Sequence, residues 1–126
     1  ISVSEKSLYS LVRETLEEMV EAFENRNTRA FMDHVSEDFY GDKEILDRAV
    51  RGAGSQYHDV DIRFSLNSVV PDFGDKLFAS VTFNRRYTVI RTGKTVPDGG
   101  SSAFVFRLET GRLRLLSMTR PLMFLQ

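Results

Sequence analysis

The chain has 126 residues, of which 41% are hydrophobic and 28% charged, and its formal net charge is −1. That is the size and balance of a single domain able to bury a core, residues 1–126 forming one unit, and no apolar run is long enough to span a bilayer. With no cysteine in the chain, disulfides, thiolate nucleophiles and cysteine-ligated zinc are excluded, while the compartment, cytoplasmic or periplasmic, stays open.

The first residue, Ile1, stands where an initiating methionine would, which implies removal of a signal peptide, a tag or a neighbouring domain. Charge is unevenly spread. Residues 1–60 carry 7 Lys and Arg against 13 Asp and Glu, and residues 61–126 carry 10 against 5. The basic residues alternate with apolar ones instead of clustering, so acids are expected on the outer side of helices and arginines on the outer side of a sheet.

Between residues 5 and 25, Leu8, Leu11, Val12, Leu16, Met19, Val20 and Phe23 recur at steps of three and four, one face of an amphipathic helix. Glu14, Glu17, Glu18, Glu21 and Glu24 take the remaining surface, and Ser2 with Glu5 has the spacing of a capping box. Asn27 or Thr28 caps a short second helix carrying Phe31, Met32 and Val35, with a turn at Gly41. Asp42 caps a third helix with Ile45, Leu46, Ala49 and Val50 expected on its buried side and with Gly52 and Gly54 weakening its far end.

After His58 the period falls to two. Val60, Ile62, Phe64 and Leu66 alternate with Asp61, Arg63, Ser65 and Asn67 in a first strand. A turn over residues 71–75 leads to a second strand over 77–91. Glycine and proline predict a loop over 92–101, followed by a third strand over 102–109, a tight turn at Thr110-Gly111 and a fourth strand over 112–119. Pro121 ends the pairing ahead of an apolar tail, Leu122, Met123, Phe124 and Leu125. Helices followed by antiparallel hairpins predict an α+β domain with the helices packed on one face of the sheet.

This layout resembles the NTF2-like superfamily, the curved-sheet cone that includes ketosteroid isomerase and SnoaL-type cyclases. The likeness is carried by the first helix ending Phe23-Glu24-Asn25-Arg26-Asn27 and by the short helix ending Val35-Ser36-Glu37-Asp38-Phe39. The hairpin from Phe106 to Leu116 carries it too. It spans nearly the whole chain as a pattern, without a residue-level catalytic signature. It implies helices and a strongly curved antiparallel sheet enclosing a pocket, in a family whose members range from enzymes to interaction modules and often dimerise.

Several residues could work in such a pocket. Arg85 interrupts the apolar parity of the second strand, Leu77, Ala79, Val81, Phe83, Tyr87 and Val89. A guanidinium there needs an internal carboxylate, an anionic ligand, or a β-bulge that turns it outward. His34 and Asp38 are the candidates for acid–base work. Neighbouring residues on a helix diverge by about 100°, so a distant carboxylate rather than Asp33 would have to orient His34. Tyr40, Tyr57 and Tyr87 suit a pocket wall, each an apolar body with a phenolic tip.

The two histidines, His34 and His58, lack metal-ligand spacing, so no metal or other cofactor is expected. There is no glycine-rich phosphate cradle and no Gly-x-Ser-x-Gly elbow. Arg85-Arg86 and Arg112 with Arg114 lack the interleaved aromatics of a nucleic-acid surface. The leading expectation is a non-catalytic module that holds a small apolar or anionic ligand or a protein partner, homodimeric through the outer sheet face or the apolar tail. The alternatives are a small isomerase, dehydratase or cyclase acting on a hydrophobic substrate, and a purely structural dimerisation domain.

Overall fold

The computed structural model describes residues 2–71, 74–119, 123 and 124, with side chains from residue 8 onward. Three helices, α1 (Ser2–Glu24), α2 (Thr28–Met32) and α3 (Lys43–Gln56), precede four strands, β1 (Tyr57–Pro71), β2 (Lys76–Val89), β3 (Thr95–Glu109) and β4 (Arg112–Met118). The predicted capping contact of Ser2 with Glu5, Asp72 and Phe73 of the first turn, Pro121, Leu122 and Leu125 lie outside the described residues.

The apolar stripe of α1 does what its spacing predicts: Val12, Leu16, Met19 and Val20 are buried. Thr15 is buried among them, with its hydroxyl satisfied by donating to the Leu11 carbonyl 2.8 Å away in the preceding turn. Asn27, rather than Thr28, caps α2, its side chain accepting from the Ala30 N–H. Asp42 caps α3 in the same way through the Glu44 N–H. On α3 only Leu46 and Val50 are fully buried; Ile45, expected inside, is 57% exposed. Ile45 precedes Leu46 by one step of about 100°, and α3 lays down only one narrow stripe. The helix also runs through Gly52 and Gly54 to Gln56.

All strand pairs are antiparallel in the order β1-β2-β3-β4. Irregular register in β1 (between His58 and Asp61, and between Leu66 and Ser68) and between β3 and β4 at Val105/Phe106 bends the sheet. The concave face presents Ile62, Leu66, Leu77, Ala79, Val81, Phe83, Phe104, Phe106, Leu113 and Leu115, all buried beneath the helices. Thr110 (φ 48°) and Gly111 (φ 81°) form the two-residue β3–β4 turn, where positive φ matches strand twist.

The predicted loop over 92–101 is overturned. The β2–β3 turn is confined to residues 90–94, and from Thr95 the chain is already paired, with Arg86 opposite Pro97, Asn84 opposite Gly99 and Thr82 opposite Ser101. Proline and glycine mislead here for identifiable reasons. β4 pairs with β3 only from Phe104 onward, so Pro97 sits on a stretch without that neighbour, where its missing N–H interrupts no ladder. A Cβ on Gly99 would lie 2.6 Å from the Phe83 carbonyl oxygen, so glycine is what lets β2 and β3 approach there.

Both edge strands carry contacts from other segments. On β1, Tyr9 donates to the Leu66 carbonyl (2.8 Å) and the Glu24 carboxylate accepts from the Ile62 N–H (2.7 Å). Along β4, the Ser36 N–H donates to Leu115, the Leu115 N–H to His34, and the Tyr40 N–H to Leu116. Such contacts take up part of the template for edge-to-edge pairing. Met123 and Phe124 of the apolar tail are buried against the domain itself. The Phe124 ring stands edge-on to Phe31 at 4.8 Å and contacts Phe23 (5.6 Å) and Phe104 (6.1 Å).

Candidate functional site

Regular alternation along β2 carries Arg85 to the concave face between Phe83 and Tyr87, where its side chain is only 9% exposed. The β2–β3 register sets Asp98 directly opposite. Arg85 Nε donates to Asp98 Oδ1 at 2.8 Å and its Nη2 to Oδ2 at 2.9 Å, a bidentate pair. Its Nη1 reaches the Met123 carbonyl at 3.1 Å, and the guanidinium carbon lies 5.3 Å from the Phe83 ring centroid and 5.7 Å from that of Tyr87. Tyr87 donates to Asp98 Oδ2 at 3.2 Å and packs edge-on against Tyr57 at 4.9 Å. Of the three fates open to Arg85, the structure therefore shows the internal carboxylate, together with a main-chain carbonyl. Asp98 was missed because it lies in the stretch that reads as a loop; Val96 and Asp98 alternating with Pro97 and Gly99 was the available signal.

His34 sits where α1, α2 and β4 meet. Its Nε2 is 3.4 Å from Glu18 Oε1 on α1, so a distant carboxylate does face the ring. Burial is the main cause that lowers the imidazole below its ordinary value of 6.5; Glu18 pushes the other way, while Arg112 adds to the lowering. The pair opens on the exposed side of α1, since Glu18 is 66% exposed.

Asp38 belongs to a separate cluster on the outer side of the sheet. Arg107 donates to Asp38 Oδ2 at 2.8 Å and through Nε to Glu109 Oε2 at 2.8 Å, while Ser36 donates to Glu109 Oε2 at 2.7 Å. The Ser36 hydroxyl is the main cause that holds the Glu109 carboxyl below its ordinary value of 4.5, with Arg107 adding to the effect. His34 and Asp38 thus do not converge. Tyr40 lies apart from the concave face, 66% exposed with its hydroxyl 3.5 Å from Lys76 Nζ. His58 pairs at 3.0 Å with Asp59 beside the first bulge.

Depressions among the described residues include one of about 760 Å³ between α1 and β1 and one of about 560 Å³ between α2 and α3. A smaller one, about 310 Å³, is lined by Asp61, Arg63, Asn84 and Arg86 together with Arg85 and Asp98. No group of three or more His, Asp or Glu among the described residues is placed to hold a metal ion. No helix among them is long and apolar enough to cross a membrane.

No protein-family model matches the sequence, and no curated protein matches it significantly. Solved structures do resemble it. A ketosteroid isomerase-like protein from Erwinia carotovora atroseptica is 16% identical, with 86% of this chain and 91% of that chain covered at a TM-score of 0.74. A protein of the NTF2-like family from Streptomyces avermitilis, named as a dehydratase, is 15% identical over 90% and 95% of the two chains, with a TM-score of 0.72. A hexachlorocyclohexane dehydrochlorinase is 10% identical over 94% and 86%, with a TM-score of 0.78. Three helices laid on a bent four-stranded antiparallel sheet, matched over nearly the full length of these proteins, give this chain the NTF2-like fold.

Proposed function

We propose that this domain is a non-catalytic module that binds a small apolar or anionic molecule or a protein partner, and that it acts as a homodimer joined through its outer sheet face. The observation that carries the reading is the commitment of Arg85. The inner sheet face holds a guanidinium tied to its own carboxylate, with Phe83 and Tyr87 on either side and aliphatic side chains along the rest of the face. His34 and Asp38, the candidates for acid–base work, stand apart from this interior, and the carboxylate that is there, Asp98, is engaged by Arg85 and Tyr87. Dimerisation through the outer face is supported by a half-exposed Phe78 and Val70, next to the short side chains of Ser80 and Thr82.

Light scattering at micromolar concentration tests the dimer: the chain should run at twice its mass and Phe78→Glu as a monomer, and a monomeric wild type would sink that part. A thermal-shift screen of neutral and anionic aromatic compounds, with a parallel assay for deuterium exchange next to a carbonyl, tests the rest. His34→Ala and Asp38→Asn should leave any binding affinity unchanged. A turnover that disappears in either variant would establish the second reading, an isomerase, dehydratase or cyclase, which the His34–Glu18 pair and the enzyme names of two structural neighbours favour.

A further inference from the structure

Among the described residues, Met123 and Phe124 of the chain itself lie on the concave face, and what they place there has the form of a bound molecule. Phe124 places its ring in a pocket walled by Phe23 of α1, Phe31 of α2 and Phe104 of β3, and is 1% exposed. The preceding peptide carbonyl, that of Met123, accepts from Arg85 Nη1 at 3.1 Å. Every one of these ring partners comes from elsewhere in the chain, and the polar contact is made to the main chain, so nothing in it depends on the Met123 side chain. An apolar aromatic slot plus one oriented donor is how small-molecule sites fix a ligand. The Arg85 fork is held ready by Asp98, and Asp98 in turn by Tyr87.

We infer that this slot is a recognition site for arylalkyl amides and arylalkyl carboxylates, and that Met123–Phe124 fills it as an internal ligand. The inference rests on the binding-module reading and names its ligand class. The carbonyl of Met123 is joined to the Phe124 ring through N, Cα and Cβ. N-phenethylacetamide reproduces that spacer atom for atom, and 4-phenylbutyrate reproduces its length with a charged acceptor that a guanidinium favours. An external ligand must compete with a segment tethered at high effective concentration, so the intact chain would bind such compounds weakly and a chain with the slot vacated would bind them well.

The test compares the full chain with the Met123→Gly/Phe124→Gly variant by calorimetry, using N-phenethylacetamide, 4-phenylbutyrate and butylbenzene, which has the ring but no carbonyl. The variant should bind the two carbonyl compounds at least tenfold more tightly than the wild type does and at least tenfold more tightly than butylbenzene. Adding Arg85→Gln should abolish that preference. Equal affinity for butylbenzene, or no gain over the wild type, overturns the inference. If the variant does not fold, the full chain with labelled methionine methyl groups decides: either carbonyl compound at millimolar concentration should shift the Met123 signal saturably, and an unmoved signal overturns it. A chain that stays dimeric and without turnover while ignoring all three compounds loses this inference but keeps the module reading.

Discussion

Two arginines of this sheet make nearly the same contacts in different surroundings. Arg85 and Arg107 each fork onto a carboxylate across from or beside them, and each ties a strand to a segment elsewhere in the chain: Arg85 to Met123, Arg107 to Asp38. The difference lies in the arginines: Arg85 is almost fully enclosed beside a 32% exposed Asp98, whereas Arg107 keeps a quarter of its side chain in water beside Glu109 at 23% and Asp38 at 69%. An ion pair in water is screened and replaceable; an enclosed one is costly to break because the survivor is left charged without solvent. The inner pair therefore has a structural consequence that the outer cluster lacks, although a list of salt bridges would rank them alike.

The largest effects are expected where the inner site meets the core. Phe124→Ala should cost about 4 kcal/mol in urea unfolding, through lost burial and the cavity left among three other phenylalanines, whereas Phe78→Ala on the outer face should change stability by less than about 0.5 kcal/mol in the monomer. Asp98→Ala should cost about 3 kcal/mol by leaving the enclosed Arg85 charge without its carboxylate, and the double replacement Arg85→Met/Asp98→Leu should recover most of it. A full cost that persists in the double variant would show that the pair itself, rather than the stranded charge, matters. Gly99→Ala should cost about 2 kcal/mol, because its methyl meets the Phe83 carbonyl. Asp38→Ala, in the outer cluster, should leave the unfolding midpoint where it is; a large drop would erase the distinction between the two arginines.

The smallest effects are pH slopes. His34 has a folded value below the ordinary 6.5, so between the two values the unfolded chain binds more protons than the folded one. Stability then falls as pH drops through 6.5, and is complete above it; His34→Gln should flatten that slope. Glu109 behaves likewise in a lower window: its stabilisation is present above 4.5 and is lost as pH falls through its depressed folded value. Ser36→Ala, which removes the leading cause, should shrink the acid-side loss.

That Arg85 interrupts an apolar parity was legible, but its direction was not: only the unbroken β2–β3 pairing from Leu77 to Tyr87 excludes the bulge that would have turned it outward. Its partner was hidden too, because Pro97, Gly99 and Gly100 look like loop residues until β2 is known to lie within 2.6 Å of where a Cβ at residue 99 would stand. The need for a remote carboxylate at His34 followed from helix geometry, but the choice of Glu18 depended on how α1 crosses β4. Of the cluster around Arg107, its pairing with Glu109 two residues on was within reach of strand alternation, whereas Ser36 and Asp38 join it only because the segment after α2 runs along the edge of β4.

By itself the sequence determined what depends on residues a few positions apart: the stripe of α1, a cap at Asn27 or Thr28 and another at Asp42, the alternation of β1 and β2, the Thr110-Gly111 turn, and through these the order of elements that marks an NTF2-like fold. Tertiary structure alone decided which groups face each other: Asp98 with Arg85, Glu18 with His34, Phe124 with Phe31. The reason is physical. Periodicity reports the exposure that each side chain prefers within its own element, whereas register, sheet curvature and helix crossing are set by the packing of the whole core, and only these bring distant residues within hydrogen-bond reach.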